Sequence, residues 1–289
     1  MRYSVIIPAL NSEGVIGRAL EAILAGKRIP DEIFVVDGCS QDRTAEIARQ
    51  YPVQVRTNPK VHAAAGRNVG IENSTGDVLV FTDSDCVPRN DWLERMASHF
   101  ESSPDIAGVG GRMLALPPVN EVEAFSGHVF LNEILRYPAE PTVVRNRALV
   151  GAFITANCAY RRSALLQEKG FHDEFGNHAE DIDLYWRLVA HDASLYYDPE
   201  IVVQHSFPKT VKSLMKKYFQ HGIASSKLTR YHLGSPQIDW FLYRKLLHSA
   251  WKTATFSKDR RQARLYCCQL SSHIAGKVYG SFLMHVVNL

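Results

Sequence analysis

Four short apolar runs, separated by stretches of helix length, constrain the fold of this chain more than any other feature. They lie at residues 3–7, 32–36, 52–56 and 78–81. Runs of β-branched and aromatic residues that alternate with helical segments are typical of βαβ units, whose strands pair in parallel. We therefore predict an α/β fold, Rossmann-like, with a mostly parallel sheet flanked by helices.

Acidic residues follow two of these predicted strands. Asp37 comes directly after the second strand, and Asp83 and Asp85 follow the fourth. In open α/β sheets ligands bind beyond the carboxyl ends of the strands, and carboxylate oxygens suit Mg²⁺ or Mn²⁺. We predict a cleft at this edge of the sheet with a divalent cation in it. The alternative for an isolated Asp-x-Asp is a solvated turn that caps the next helix.

The sequence becomes less regular after residue 90. The predicted elements are a helix over 90–101, a strand over 106–116, a helix near 121–137, a strand over 149–155, a helix over 179–191 and short strands at 195–197 and 201–203. From residue 208 onward the chain is predicted to be helical.

Charge divides the chain into two regions. Residues 1–205 contain 19 Lys and Arg against 28 Asp and Glu, a formal charge of −9, whereas residues 206–289 contain 14 against 2, a formal charge of +12. This asymmetry indicates an anionic partner for the C-terminal region. We predict a substrate-binding domain over 1–205 and a basic helical extension over 206–289.

The extension carries apolar residues in adjacent pairs at near-helical spacing, with basic residues before them. The pairs are Ile274/Ala275, Val278/Tyr279, Phe282/Leu283 and Val286/Val287, and the basic residues are Lys258, Arg260, Arg261 and Arg264. A basic region beside an amphipathic helix suits the surface of an anionic membrane. The alternative is that the apolar stripe packs on the rest of the chain or on a second subunit. Nucleic acid is not an expected partner, because no RNA- or DNA-binding motif accompanies the charge.

Cysteine usage and hydropathy indicate the compartment. The five cysteines have no C-x-x-C spacing, which favours neither a zinc site nor a disulfide framework. No run of about 18 apolar residues occurs, and the apolar N-terminal run is too short for a signal peptide. We expect a cytoplasmic protein without a membrane span, in peripheral contact with the cytoplasmic face of the membrane.

Five sequence blocks, in this order, resemble those of the family 2 glycosyltransferases, which have the GT-A fold. The blocks are Ser4–Glu13, Val35–Gly38 with Ser40, Asp42 and Thr44, Ala65–Gly70, Asp83–Asp85 and His178–Leu184. One block alone is unspecific, whereas all five in order across residues 3–205 are specific. The basic extension lies outside the resemblance.

The resemblance implies a binding site for a nucleoside-diphosphate sugar, for which we expect a UDP-sugar. The nucleotide-binding residues that it implies are Pro8, Ala9, Asn11, Glu13, Asp37, Arg67, Asp83 and Ser84. Asp85 and His205 are implied as ligands of Mn²⁺ or Mg²⁺. An ion at this position neutralises the charge that develops on the leaving diphosphate.

The resemblance also implies a catalytic base in the Glu180-Asp181 pair. We predict Asp181 for this role, because partial burial beside Glu180 raises a carboxylate pKa towards the range of a base at neutral pH. Asp183 is the weaker candidate, and the alternative is that these acids only cap the following helix. The family implies inversion at the anomeric carbon, and the absence of a Gln-x-x-Arg-Trp motif favours transfer of a single sugar.

Three other functions fit parts of the sequence. Asp83-Ser84-Asp85-Cys86-Val87 matches the nucleophile motif of haloacid-dehalogenase-type phosphatases, but that motif normally follows an early strand. A nucleotidyltransferase lacks support, since no Gly-rich phosphate loop is present. A catalytically silent scaffold at the membrane would not need the complete set of acids. The sugar and the acceptor, lipid-linked or saccharide, stay open, because the acceptor half over residues 106–177 has no informative motif.

Overall fold

A computed structural model describes residues 1–135, 137–147, 153–233, 244, 247–249, 251 and 260–284. The chain divides into two compact units. The first unit comprises residues 1–116 and 135–205, and the second comprises residues 117–134 and 206–289. In this division the segment 117–134 groups with the C-terminal region.

The first unit alternates strands and helices in its N-terminal half, as predicted. The elements are β1 (Tyr3–Ala9), α1 (Ile16–Leu24), β2 (Glu32–Asp37), α2 (Thr44–Ala48), β3 (Gln54–Thr57), α3 (Ala63–Asn73), β4 (Val78–Phe81), β5 (Cys86–Pro88) and α4 (Trp92–Ser102). The remaining elements of this unit are β6 (Gly108–Ala115), β7 (Thr142–Val144), β8 (Cys158–Arg161), α6 (Arg162–Gln167), α7 (Glu180–Ala190) and β9 (Leu195–His205), with a 3₁₀ turn at Asp173–Phe175.

In the described part of the chain these nine strands form one mixed sheet in the order β3-β2-β1-β4-β8-β6-β9-β5, and β7 also pairs with β9. Strands β1 to β4 are parallel, with β1 between β2 and β4. Their carboxyl ends therefore lie at one edge, where Ala9 is paired with Asp37. This arrangement brings the segments after β1, β2 and β4 together.

Helix α3 packs closely on β1 because its inner face carries glycines. A Cβ atom on Gly70 would lie 2.4 Å from Cγ2 of Ile6, and one on Gly66 would lie 3.3 Å from Cβ of Pro8. The two glycines are four residues apart and therefore share one face of the helix. Their spacing in the Ala65–Gly70 block is thus explained by helix–strand packing.

The second half of the sheet differs from the prediction in three places. Residues 149–152 of the strand predicted over 149–155 lie outside the described residues, and residues 153–155 are not in a strand. The strand β8 over Cys158–Arg161, antiparallel to β4, was not predicted. The two short strands predicted at 195–197 and 201–203 are one strand, β9, whose register against β6 shifts between Gly111 and Arg112.

The second unit is helical. Its elements are α5 (Glu121–His128), a π-helical segment at Val129–Leu135 whose last residue falls in the first unit, α8 (Val211–Leu228), a π-helical segment at Thr229–Leu233, and α9 (Arg260–Met284). Helix α8 begins with a capping box, in which the hydroxyl of Thr210 accepts from the backbone N–H of Ser213. Lys258 and the Val286/Val287 pair lie outside the described residues.

An apolar cluster joins the helices of this second unit. It contains Phe125, Val129, Leu214, Tyr218, Leu265, Tyr266 and Leu270. The described residues include no helix that is long and apolar enough to cross a bilayer. The use of 206–289 as a separate functional extension stays a prediction.

Candidate active site

The segments after β1 and β2 are joined by hydrogen bonds. The backbone N–H of Asn11 donates to Oγ of Ser40 at 2.9 Å, and Oδ1 of Asn11 accepts from the N–H of Gln41 at 2.9 Å. Asn11 has a φ of 49°, in the left-handed region that Asn tolerates better than most residues. Its side chain therefore holds the shape of the two segments that follow Pro8-Ala9 and Asp37.

Glu13 has a similar bridging position. Its Oε2 accepts from the N–H of Arg43 at 3.1 Å, and its own N–H donates to Oδ2 of Asp42 at 3.1 Å. Asp42 also accepts from the N–H of Thr44, the first residue of α2, at 3.0 Å. Asp42 therefore holds the start of α2, and Glu13 fixes the segment before it.

Asp37 lies at the end of β2 and is 8% exposed. One carboxylate oxygen, Oδ2, accepts from the N–H of Ser40 at 3.2 Å. The other, Oδ1, is buried and has no hydrogen-bond partner among the residues that the structure describes. A buried acceptor without a partner costs about 1–3 kcal/mol, so Oδ1 is a position where a ligand N–H would be stabilised.

The Asp-x-Asp segment follows β4 and lies beside β9. Oδ1 of Asp85 is 3.4 Å from Nε2 of His205, and the ligand atoms of Asp83, Asp85, Cys86 and His205 all lie within 4.8 Å of one another. The side chains of Asp83 and Asp85 are about one-third exposed. This group has the size and accessibility of a metal site.

The pairing of β5 with β9 brings His205 into this group. The two strands are antiparallel, and Cys86 is the residue opposite His205. His205 therefore lies next to Asp85 in space. Two carboxylates and an imidazole are a donor set that Mn²⁺ and Mg²⁺ accept.

Cys86 is the fourth member of this group. Its side chain is fully buried, and burial together with the neighbouring charges of Asp85 and Asp83 raises the pKa of the thiol well above its usual value. The other three residues offer oxygen and nitrogen donors, which suit hard cations.

Ser84 lies between the two aspartates and contacts the segment after β1. Its hydroxyl is 2.8 Å from the hydroxyl of Ser12, and the N–H of Ser12 donates to Oγ1 of Thr44 at 2.6 Å. The three segments beyond β1, β2 and β4 are thus connected through small hydroxyl side chains. The sequence gives Ser12 and Thr44 no distinguishing signal for this role except their place in the resembling blocks.

Arg67 is almost completely buried, at 2% exposed. Its guanidinium donates from Nη1 to Oε1 of Glu180 at 2.6 Å and from Nη2 to Oδ1 of Asp83 at 2.8 Å. Arg67 therefore links the cation-binding group to the acidic pair at the start of α7. Its place beside the nucleotide stays a prediction, and in the structure its two terminal nitrogens donate to these carboxylates.

The Glu180-Asp181 pair begins helix α7. Ala179, which precedes it, has a φ of 67°, so the chain turns sharply into the helix. Burial raises the pKa of Glu180, against the opposing effect of Arg67. Burial likewise raises the pKa of Asp181, whose Oδ1 accepts from the N–H of Ile182 at 2.8 Å.

Asp183, the weaker candidate base, has a different environment. It is 1% exposed, and its Oδ2 accepts from Nη2 of Arg187 at 2.9 Å and lies 3.2 Å from Nδ1 of His172. These contacts fix the carboxylate in an ion-pair network on α7. Asp181, which is half-buried, has the more suitable geometry for a base that meets a substrate.

Comparison with known proteins identifies the family. The family model for glycosyl transferase family 2 matches residues 4–167 of the chain. The chain belongs to this family. Its mixed sheet with flanking helices is the GT-A fold, and the family 2 resemblance of the five sequence blocks is confirmed.

Two curated relatives illustrate the breadth of the similarity. The pre-mycofactocin glycosyltransferase of Mycobacterium tuberculosis is 29% identical over 236 residues, which are 79% of this chain and 48% of that protein. The chain thus spans about half the length of that relative. The glycosyltransferase AglE of Haloferax volcanii is 32% identical over 231 residues, which are 76% of this chain and 71% of that protein.

A solved structure supports the same fold. The mannosyltransferase PcManGT from Pyrobaculum calidifontis, in complex with GDP-Man and Mn²⁺, matches with a TM-score of 0.60 at 18% identity. The match covers 98% of this chain and 77% of that one. At this level of identity the likeness concerns the fold.

Proposed function

We propose that this glycosyltransferase moves a single sugar from a nucleoside-diphosphate sugar to an acceptor hydroxyl, with inversion and with a divalent cation. The observation that carries the proposal is the connection of two acidic groups through Arg67. One group, Asp83 with Asp85 and His205, suits a cation, and the other, Glu180 with Asp181, suits a base. A transferase of this kind needs a cation-binding group and a base in the same cleft.

The nucleotide site in this proposal is formed after β1 and β2. Pro8 and Ala9 line it, Asn11, Glu13 and Ser84 hold the surrounding segments, and Asp37 accepts a hydrogen bond from the base. Uracil has a single ring N–H, whereas guanine presents two adjacent N–H donors that suit both oxygens of a carboxylate. Oδ1 of Asp37, which has no hydrogen-bond partner among the described residues, would accept the single ring N–H of uracil, and we propose a UDP-sugar as the donor.

Asp85 and His205 would hold Mn²⁺ or Mg²⁺ in this site, with Asp83 beside them. The cation, when bound, supplies positive charge for the departing diphosphate without proton exchange. Arg67 adds its own charge next to Asp83 and holds that carboxylate in place at 2.8 Å. The guanidinium of Arg67 does not lose its proton at any physiological pH, so its positive charge beside Asp83 does not depend on pH.

Asp181 is the base of the proposed reaction. It takes the proton from the acceptor hydroxyl as the acceptor oxygen forms its bond to the anomeric carbon and the bond to the diphosphate breaks. The raised pKa of Asp181 supports this role, because a base with a higher pKa accepts the proton more readily. Attack from the side opposite the diphosphate inverts the anomeric carbon.

The charge of residues 206–289 supports an acceptor at an anionic membrane surface. Fourteen basic residues against two acidic ones favour a peripheral position on the cytoplasmic face, where a lipid-linked acceptor would be presented. A saccharide end near that surface is the second candidate. Co-sedimentation with anionic vesicles at low and high salt tests this part of the proposal, and a protein that stays in solution at low salt contradicts it.

Calorimetric titration tests the donor part. UDP, GDP and dTDP are each titrated with and without Mn²⁺, and we expect UDP to bind with the cation tightening it. Tighter binding of GDP would contradict the uracil assignment while leaving the cation site supported. No binding of any nucleotide would contradict the proposed transfer and favour the silent scaffold.

A further inference from the structure

The C-terminal half of α9 has its apolar residues outside and its polar residues inside. Its outward side chains are Ile274 (41% exposed), Val278 (50%), Tyr279 (49%), Phe282 (78%) and Leu283 (45%). Its buried residues include Gln269, Ser272, His273 and Lys277, which are all at most 9% exposed. This is the reverse of a helix whose apolar stripe faces a protein core.

Close contact with α8 explains how polar residues come to be buried. A Cβ atom on Gly276 would lie 2.0 Å from the carbonyl oxygen of Phe219, and one on Gly222 would lie 2.3 Å from that of His273. The hydroxyl of Ser226 donates to the carbonyl oxygen of Lys277 at 3.1 Å. The two helices are thus joined here by glycine contacts and a hydrogen bond, which leaves the apolar side chains of the C-terminal half of α9 no place between them.

The same outward face is basic at its N-terminal end. Arg261 and Arg264 are exposed and lie ten or more residues before Ile274, which at 1.5 Å per residue is a distance of about 15 Å or more. At the far end, Nη1 of Arg230 donates to the carbonyl oxygen of Met284 at 2.6 Å. Helix α9 itself contains no Asp or Glu. The exposed apolar segment therefore has cationic side chains at both ends.

We infer that the outward face of α9 inserts into the interfacial layer of an anionic membrane, with Ile274, Val278 and Phe282 in contact with the acyl chains. The inference rests on the proposed membrane-side acceptor, and it names the surface that makes the contact. A helix in the plane of the interface buries its apolar face about 5–10 Å deep, while arginines reach the lipid phosphates. The apolar segment from 274 to 283 is about 14 Å long, which suits such a position rather than a span.

A second copy of the chain is the less favourable occupant of this face. Pairing two copies through α9 would bring Arg261, Arg264 and Arg230 of each close to those of the other. Like charges at an interface oppose association, whereas anionic lipid headgroups neutralise them. Charge therefore selects the membrane over a dimer.

Vesicle flotation of the full-length protein tests this inference. The probes are vesicles of phosphatidylcholine with 30% phosphatidylglycerol, and vesicles of phosphatidylcholine alone. We expect the wild type to float with the anionic vesicles and to stay partly bound in 0.5 M salt, because insertion of apolar side chains is not screened. The double variant V278E/F282E should lose at least about tenfold in partitioning, since two apolar side chains are replaced by charges.

A matched control carries the same chemical change elsewhere. Leu166 is 55% exposed in the first unit, so L166E introduces a charge at an exposed apolar position outside α9. Equal flotation of V278E/F282E and the wild type overturns the inference, and so does an equal loss in L166E. If V278E/F282E instead changes a dimer into a monomer in light scattering while flotation is unchanged, the face is an interface between copies.

The nucleotide titration is performed on the same variants without vesicles. Val278 and Phe282 lie in the second unit and have no role in the proposed donor site. We expect UDP and Mn²⁺ to bind V278E/F282E as tightly as the wild type. A failure of the proposed transfer would appear in this titration, and a failure of the membrane inference would appear only in the flotation.

Discussion

Nε2 of His205 lies 3.4 Å from Oδ1 of Asp85, although the two residues are far apart in the sequence. The antiparallel pairing of two short strands, with Cys86 opposite His205, produces this proximity. The relationship explains why a histidine at the end of β9 lies in the same candidate cation-binding group as the acids that follow β4. It also identifies the pair whose removal tests the cation site directly.

Removal of either side chain should weaken cation-dependent nucleotide binding. We expect H205N and D85N to lose the Mn²⁺-dependent increase in UDP affinity by at least about tenfold, since each removes one ligand of a divalent cation. Calorimetry of UDP with and without Mn²⁺ measures the effect. Both side chains are partly exposed, so the melting temperature should change little.

The control for this experiment is D192N. Asp192 is exposed and has a φ of 54°, a conformation that Asn accepts, and it lies outside the candidate site. It should leave the response to Mn²⁺ unchanged. Wild-type affinity in both D85N and H205N would show that the cation is held elsewhere.

The pH dependence of the reaction should report Asp181. Burial raises its pKa, so protonation removes the base at a higher pH than the ordinary value of 3.8 would predict. We expect kcat/KM to fall as the pH decreases through this raised pKa. In D181N we expect kcat/KM at neutral pH to be lower by about 10²–10⁴-fold. An unaltered rate in D181N, with normal UDP binding, would assign the base to another residue.

Sequence patterns predicted the parallel half of the fold well because its strands are local. Strands β1 and β2, and likewise β2 and β3, are paired neighbours joined through one helix. Strand β4 follows α3 and pairs with β1, and acids lie at the carboxyl end of β2 and after that of β4. Binary patterning and capping residues are sufficient for such units. The family was predicted from five sequence blocks that occur in a fixed order, since any one block alone is unspecific.

The antiparallel half could not be predicted in the same way. Strand β8 pairs with β4 on one side and β6 on the other, and long stretches of chain separate it from both partners. The partners of Arg67 could not be predicted either, because an arginine beside a nucleotide and one bound to Glu180 and Asp83 look alike in a sequence. The pairing of β8 and the partners of Arg67 both depend on contacts between residues that are far apart in the sequence.

The close approach of α3 to β1 predicts a large effect of a single methyl group. In G70A the new Cβ would lie 2.4 Å from Cγ2 of Ile6, and we expect the free energy of unfolding to fall by about 1–3 kcal/mol. The neighbouring variant G66A should cost less, because its nearest contacts are 3.3 Å. Urea unfolding measures both.

The double variant G70A/I6A tests whether the destabilisation by G70A comes from a clash with the Ile6 side chain or from the loss of the backbone freedom of glycine. If the Ile6 side chain causes the cost, the double variant should lose less stability than the two single variants together, since residues in contact are not additive. Additive losses would mean that the glycine is needed for another reason. An equal cost of G66A and G70A would contradict the packing argument as well.

The burial of Glu180, which outweighs the opposing effect of Arg67 on its pKa, predicts a pH-dependent stability opposite in sign to that of an ordinary paired carboxylate. Burial raises the pKa of Glu180 above the ordinary value of 4.5. Between 4.5 and the raised pKa the folded protein therefore binds more protons than the unfolded chain, so the free energy of unfolding falls as the pH rises, by at most about 1.4 kcal/mol per pH unit. In E180Q this pH-dependent contribution is absent. The free energy of unfolding of the variant, relative to that of the wild type, should therefore rise as the pH is raised from 5 to 8.

A comparison with Asp91 makes this prediction specific. Despite the opposing effect of its partial burial, Arg89 and Arg95 lower the pKa of Asp91 to about 2, so its stabilising effect is complete above 3.8 and is lost only as the pH falls below that value. D91N should therefore shift stability equally at pH 5 and pH 8, whereas E180Q should not. In R67M the loss of the cation raises the pKa of Glu180 further, which widens the pH range of the slope, and the unpaired carboxylate should cost about 3–5 kcal/mol at pH 8. Thermal unfolding across pH 5–8 distinguishes the three variants, and a flat difference between E180Q and the wild type would show that Glu180 stays ionised throughout this range.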